Sequence, residues 1–188
     1  MGVERKVRVG IAGCGVVATA YYLPSLYKMD TVELTAVCDR YETRIAACLR
    51  LFGAKAGYLD YYEMLEKADL DAVFILTAPG THVPFTLKAV EKGLHVLIQK
   101  PLATNMVDAH RIAAAVRAKD VVALVEVEEL IGRQLRPNDY AGFGQLLHGF
   151  RQPSRFKARG LSVARSAAGS GGGGPGRSDL GRPSHQGG

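Results

Sequence analysis

The stretch "VRVGIAGCGVVA" (residues 7–18) passes from a short apolar run rich in β-branched residues into a glycine turn and then toward a helix. Gly13, Gly15 and Ala18 satisfy the spacing G-x-G-x-x-G/A. Each position has its own reason: Gly13 permits the tight turn, Gly15 lets backbone approach a pyrophosphate, and small Ala18 allows close helix–strand packing. The helix start then offers unpaired N–H groups and the positive end of its dipole to a phosphate. Cys14 lies inside this loop and serves through its backbone. Asp39 follows twenty-one residues after Ala18, at the end of the second apolar run. A carboxylate there accepts from ribose hydroxyls and repels a 2′-phosphate, which favours NAD; Arg40 beside it offers a guanidinium to the phosphate of NADP.

The pattern repeats outward from that turn. Apolar runs at 32–39, 71–78, 95–99 and 121–127, with a shorter piece at 56–59, read as strands. Between them lie helical patterns: residues 42–52 with Ile45, Leu49 and Phe52 on one face, and 61–68 behind the N-cap candidate Asp60. Two more cover 82–93, ending at Gly93, and 106–119. Continuous apolar strands suit a parallel sheet covered on both faces. The expected fold is therefore α/β, a doubly wound parallel-sheet Rossmann domain. Tyr21, Tyr22, Tyr61 and Tyr62 fall in pairs on helices and are read as packing residues, and His110 as structural or exposed.

Composition divides the chain. Through Gly132 there are 15 Lys and Arg against 16 Asp and Glu, while from Arg133 onward there are 9 against 2, so the net +6 belongs to the tail. The charge therefore gives the folded part no nucleic-acid partner. Thirteen of the 22 glycines and six of the seven serines follow Asp139, a composition that cannot bury enough apolar surface to order itself. The expected organisation is a dinucleotide-binding domain over 1–132 and an irregular Gly/Ser/Arg-rich, disordered tail over 133–188. The tail has too few aromatics for a nucleic-acid arm. Its Arg, Gly, Pro, Ser and Ala crowd together without period, as GC-rich DNA reads out of frame, and a loss of the natural frame between about Glu126 and Phe150 is the expectation drawn from that. No apolar run approaches the ~20 residues of a membrane helix, and no signal peptide is seen. Three cysteines at spacings that suit neither disulfides nor zinc point to reduced thiols in a cytoplasm, with no metal site.

Lys100 raises a separate question. In "VLIQKPLATN" (96–105) it directly follows an apolar strand and is fixed by Pro101. Together, "GIAGCGVVA…LPSL", "VCDR", "DAVFILTAPGTH" and "GLHVLIQKPLA" resemble the N-terminal domain of the glucose–fructose oxidoreductase/inositol dehydrogenase (Gfo/Idh/MocA) family, over about residues 7–136. The resemblance implies NAD(P)-dependent hydride transfer at a carbinol carbon of a sugar, cyclitol or related polyol. It implies that Gly13, Cys14, Gly15, Val16 and Val17 line the cofactor phosphates, and Asp39 and Arg40 the adenosine ribose. Thr77, Ala78, Pro79 and His82 would pass along the nicotinamide. Gln99, Lys100 and Pro101 match the family's Glu-Lys-Pro motif, whose lysine reaches the reacting hydroxyl; Lys100 is thus the candidate catalytic residue.

Two departures stand out. Gln99 replaces the usual Glu, keeping hydrogen bonds while removing a negative charge. The family's Asp-x-x-x-His of the second, substrate-binding domain has no counterpart: His148 is preceded four positions earlier by Gly144, and His185 by Gly181. The chain therefore reads as the cofactor half of such an enzyme, needing a substrate domain to act on a polyol. The alternatives are a non-catalytic dinucleotide-binding module and a truncated product without activity. A methyltransferase could share the glycine loop but would not explain the Lys100 motif. His82 is open to a second reading, as the residue that caps or opens the following helix.

Overall fold

A computed structural model describes residues 5–126 of the chain. Six parallel strands, β1 (Val7–Ala12), β2 (Val32–Cys38), β3 (Ala56–Tyr58), β4 (Ala72–Ile75), β5 (His95–Ile98) and β6 (Ala123–Val125), form one sheet in the order β3-β2-β1-β4-β5-β6. The doubly wound α/β expectation holds. The proposed tail over 133–188 lies outside the described residues.

Helices α1 (Leu23–Tyr27), α2 (Glu42–Phe52), α3 (Tyr61–Lys67), α4 (Pro79–Glu91) and α5 (Met106–Lys119) cover the sheet. Because side chains alternate along a strand, each strand feeds two cores. On one face Val9, Ile11, Val37 and Phe74 meet Leu23 and Leu26 of α1 and Ile45 and Cys48 of α2. On the other, Ala36, Val73, Ile75 and Ile98 meet Tyr61, Met64 and Leu65 of α3 and Ala89 and Val90 of α4. The tyrosine pairs split as helical geometry requires: Tyr22 and Tyr61 are buried, Tyr21 and Tyr62 exposed. Tyr61 stacks on Phe85 at 3.9 Å between ring centres and donates to its carbonyl oxygen at 2.9 Å. Asp60 caps α3 as expected, accepting from Glu63 N–H at 2.8 Å.

Two helix starts differ from the sequence reading. The helix after the glycine loop carries a π-helical segment, Ala18–Tyr22, before α1, with Leu23 N–H donating to Ala18 O. Pro24 explains the interruption, since it has no N–H to give to the carbonyl of Ala20 four residues earlier. Helix α4 begins at Pro79, not His82, because proline's fixed φ suits the first helical position; Pro84 then lies within the helix.

Register decides where the site forms. Tyr58, Cys38, Ala12, Ile75, Ile98 and Val125 are partners in one row across the sheet. Asp39, Gly13, Leu76, Gln99 and Glu126 are the next residues on five adjacent strands. Their N–H groups continue the ladder, Asp39 to Tyr58 O, Gly13 to Cys38 O, Leu76 to Ala12 O, Gln99 to Ile75 O and Glu126 to Ile98 O, at 2.8–3.2 Å.

Candidate functional site

That row lies at the carboxyl edge, where the strand order reverses between β1 and β4 and open α/β sheets hold their ligands. Gly13 has φ +96°, and a Cβ there would sit 2.7 Å from the carbonyl oxygen of Leu76. Only glycine fits this close approach of the turn to β4. Gly15 is the opposite case: its Cβ would meet nothing within 4 Å. The N–H of Gly13 goes to Cys38 O and that of Cys14 to Asp39 Oδ2 at 2.8 Å. The loop is thereby pinned to β2, and its outer part, Gly15, Val16 and Val17, leads into the helix. Val16 is 76% exposed, whereas Val17 packs on the core.

Asp39 is buried, and its carboxylate is largely committed. Oδ2 accepts from Cys14 N–H, Oδ1 from Tyr41 N–H at 3.0 Å, and Arg44 approaches Oδ2 at 3.7 Å. The expected ribose acceptor is thus also the tie that holds the glycine loop. Arg40 and Arg44 stack on the Tyr41 ring at 4.8 and 4.6 Å, placing two guanidiniums at the Asp39 end. Arg44 was not among the expected residues, although it stands one turn into α2 behind Asp39.

Cys14 is buried and its thiol donates to Cys38 O at 3.7 Å; the neighbouring Cys48 thiol, with burial second, raises the Cys14 thiol far above its usual range. A thiol held neutral is a poor nucleophile, in keeping with a backbone role for Cys14. Burial likewise pushes Cys38 up to about 12, helped by Asp60 and Asp39.

The other end is built by the turns after β4 and β5. Thr77 Oγ1 accepts from Thr81 Oγ1 at 2.6 Å, and Ala78 O accepts from Thr81 N–H at 3.0 Å, so α4 starts tightly against the edge. His82 is completely buried; Nδ1 lies 2.7 Å from Pro101 O and Nε2 3.0 Å from Thr77 O. It does not open α4 but is turned inward, stitching the Thr77 turn to the Pro101 turn. Ala78, Pro79, Lys100 and Pro101 are exposed, and the Lys100–Pro101 peptide is cis. Gln99 is half-buried: its Oε1 accepts from Lys100 N–H at 2.7 Å and its Nε2 donates to Glu126 Oε2 at 2.6 Å. Tyr22 OH donates to the same Glu126 oxygen. The sequence places Glu126 in a strand and Tyr22 among packing residues, yet a lone carboxylate in "VVALVEV" at a strand's carboxyl end is a visible signal.

The residues expected from the sequence therefore fall along one edge, with Gly15 and the exposed turns on it. The family model described as "Oxidoreductase family, NAD-binding Rossmann fold" (Gfo/Idh/MocA) matches residues 7–127. The chain belongs to the Gfo/Idh/MocA oxidoreductase family. A dTDP-3,4-didehydro-2,6-dideoxy-alpha-D-glucose 3-reductase from Streptomyces violaceoruber is 35% identical over 118 residues, 63% of this chain and 34% of that protein. The WlbA dehydrogenase from Chromobacterium violaceum, in complex with NADH and UDP-GlcNAcA, superposes with a TM-score of 0.62 at 31% identity, covering 65% of this chain and 35% of that one. A 3-ketoreductase from Actinomadura kijaniata, in complex with TDP-benzene and NADP, gives a TM-score of 0.63 at 28% identity over 77% of this chain and 45% of that one. This Gfo/Idh/MocA chain spans about a third of the length of the curated relatives it matches. No helix among the described residues is long and apolar enough to cross a membrane.

Proposed function

We propose that this chain is the cofactor-binding part of an NAD(P)-dependent oxidoreductase that interconverts a carbinol and a carbonyl on a sugar, cyclitol or nucleotide-linked sugar. The observation that carries the reading is the carboxyl-edge row. It sets a pinned glycine loop with open space at Gly15, a ribose-end carboxylate and the Lys100 turn along one continuous edge. A bound nicotinamide supplies the hydride chemistry. The chain's own residues do the holding. Gly15, Val16 and Val17 present N–H groups to the phosphates, Asp39 and Arg40 border the adenosine ribose, and Thr77, Ala78 and Pro79 border the nicotinamide. Lys100 is the proposed catalytic residue, bonding to the reacting oxygen of the substrate and fixing its orientation.

At the ribose end we read both NAD and NADP as acceptable. The Asp39 carboxylate favours NAD, but its charge is taken up by two N–H groups and Arg44, and Arg40 stands beside it. Relatives crystallised with NADH and with NADP support a fold that accepts either.

We assign proton handling at the substrate to none of the described histidines. Of the histidines at hand, His82 is committed to two carbonyls, His95 Nδ1 accepts from Val122 N–H at 3.1 Å, and His110 lies exposed on α5. The test is titration of the full chain with NADH and NADPH, followed by nicotinamide fluorescence, alongside turnover assays on polyols and nucleotide sugars. Saturable binding supports the reading. Failure of both dinucleotides to bind at millimolar concentration refutes it. Turnover by the chain alone would place the proton-handling group within it.

A further inference from the structure

Gln99 and Glu126 are register neighbours, one row beyond the partners Ile98 and Val125, so their side chains leave the sheet on the same face. That face is also where Tyr22 packs, from the helix that follows the glycine loop. The hydrogen bonds converge on Glu126: Tyr22 OH donates to Glu126 Oε2, Gln99 Nε2 donates to the same oxygen at 2.6 Å, and Gln99 Oε1 accepts from Lys100 N–H at 2.7 Å. Chemistry fixes the amide's orientation. A carboxylate only accepts and a backbone N–H only donates, so the side chain between them must offer one donor and one acceptor. A carboxamide does this. An ionised glutamate at 99 would set two carboxylates at that 2.6 Å contact, where both cannot be charged.

We propose that Gln99 and Glu126 are a matched pair, in which Glu126 is a positioning residue that sets the Lys100 turn through the Gln99 amide. Glu126 is then the reason that position 99 carries an amide where the family motif has Glu. Because Tyr22 holds Glu126 from the glycine-loop helix, the pair links the phosphate end of the edge to the turn that carries Lys100. The importance of that turn for dinucleotide and substrate rests on the proposed function; the pairing itself does not.

The experiment is a double-mutant cycle in the full chain with Gln99→Glu, Glu126→Gln and the reversed pair Gln99→Glu/Glu126→Gln. Thermal midpoint is measured without dinucleotide, and NADH affinity by fluorescence. The expected result is a fall of about 5 °C or more for Gln99→Glu, little change for Glu126→Gln, and recovery of at least half the loss in the reversed pair. NADH binding should weaken several-fold in Gln99→Glu and recover in the same order. A residue that merely fills space would show no recovery. If Gln99→Glu melts and binds like the parent, or if the double variant shows the sum of the single losses, the proposal is overturned. Rescue of the midpoint in a chain that does not bind NADH would uphold the pair and sink the proposed function. Tight NADH binding without rescue would do the reverse.

Discussion

The two loop glycines should fail in different ways, and the difference tests the site. At Gly13, alanine must adopt φ +96°, a strain of about 1–3 kcal/mol for a residue with a Cβ. The new methyl also lands 2.7 Å from Leu76 O and 2.8 Å from Leu76 C, which are backbone atoms inside the sheet and cannot swing away. Overpacking of that kind adds about 1–3 kcal/mol. The sum, about 2–6 kcal/mol against a usual stability of about 5–15, should lower the thermal midpoint by about 10 °C or more. At Gly15 nothing lies within 4 Å of the added methyl and φ is not in the positive range, so Gly15→Ala should stay within about 0.5 kcal/mol of the parent. The methyl would instead occupy the space a pyrophosphate needs. Losing one charge-assisted hydrogen bond, worth about 1.5–3 kcal/mol, weakens NADH binding by roughly 10- to 100-fold. Scanning calorimetry and NADH fluorescence on the same preparations separate the two. Undiminished NADH binding by Gly15→Ala would refute the phosphate assignment, and a parent-like midpoint for Gly13→Ala would refute the steric argument.

Replacing Arg40 with Ala should weaken NADPH binding about tenfold while changing NADH binding less than about twofold, read by parallel fluorescence titrations; equal losses would remove Arg40 from the ribose end. Asp71 accepts from Arg5 and Arg8 at the opposite edge of the sheet; burial alone would raise it, but the bonds from Arg8 and Arg5 prevail and hold it at about 2. Its folded value being depressed, its stabilisation is complete above the ordinary value near 4 and is lost as pH falls toward 2. Acid unfolding of Asp71→Asn should therefore lack about 1–2 kcal/mol of that pH dependence. Cys14, Cys38 and Cys48 are buried thiols, so a disulfide reagent should modify them only upon unfolding; rapid reaction in native buffer would contradict the packing.

Much of this was legible before any coordinates because the signals were periodic or punctuated. Strands β1, β2, β4 and β5 are runs of apolar residues closed by Gly13, Asp39, Thr77 or Lys100, and the parallel sheet follows from their alternation with helices. Boundaries were less legible. Among the described residues, β6 spans Ala123–Val125 of the run read as 121–127, and α4 reaches back to Pro79. A pattern of apolar spacing marks which face is buried, not which residue first closes a hydrogen bond. The site residues were found by type and order, yet their roles depended on partners that no spacing encodes. Nothing in "APGTH" says that His82 will turn inward to the carbonyls of Thr77 and Pro101. Nothing in "IQKP" says that the amide of Gln99 will meet a carboxylate 27 residues later.

Those partners explain how the edge can be ready before anything binds. Asp39 holds the glycine loop through Cys14 N–H, His82 joins the turns after β4 and β5, and Glu126 joins the glycine-loop helix to Gln99. Each tie is between elements that are far apart in the chain and adjacent only through the strand order. The conformational cost of arranging the loops is therefore met when the sheet folds, and binding need not meet it again. A change at one end should then be felt at the other: releasing Glu126 removes the bonds that reach the Lys100 turn through Gln99 and the glycine-loop helix through Tyr22. A reader of the sequence who treats the glycine loop and the lysine motif as separate signatures misses that the fold makes them one structure.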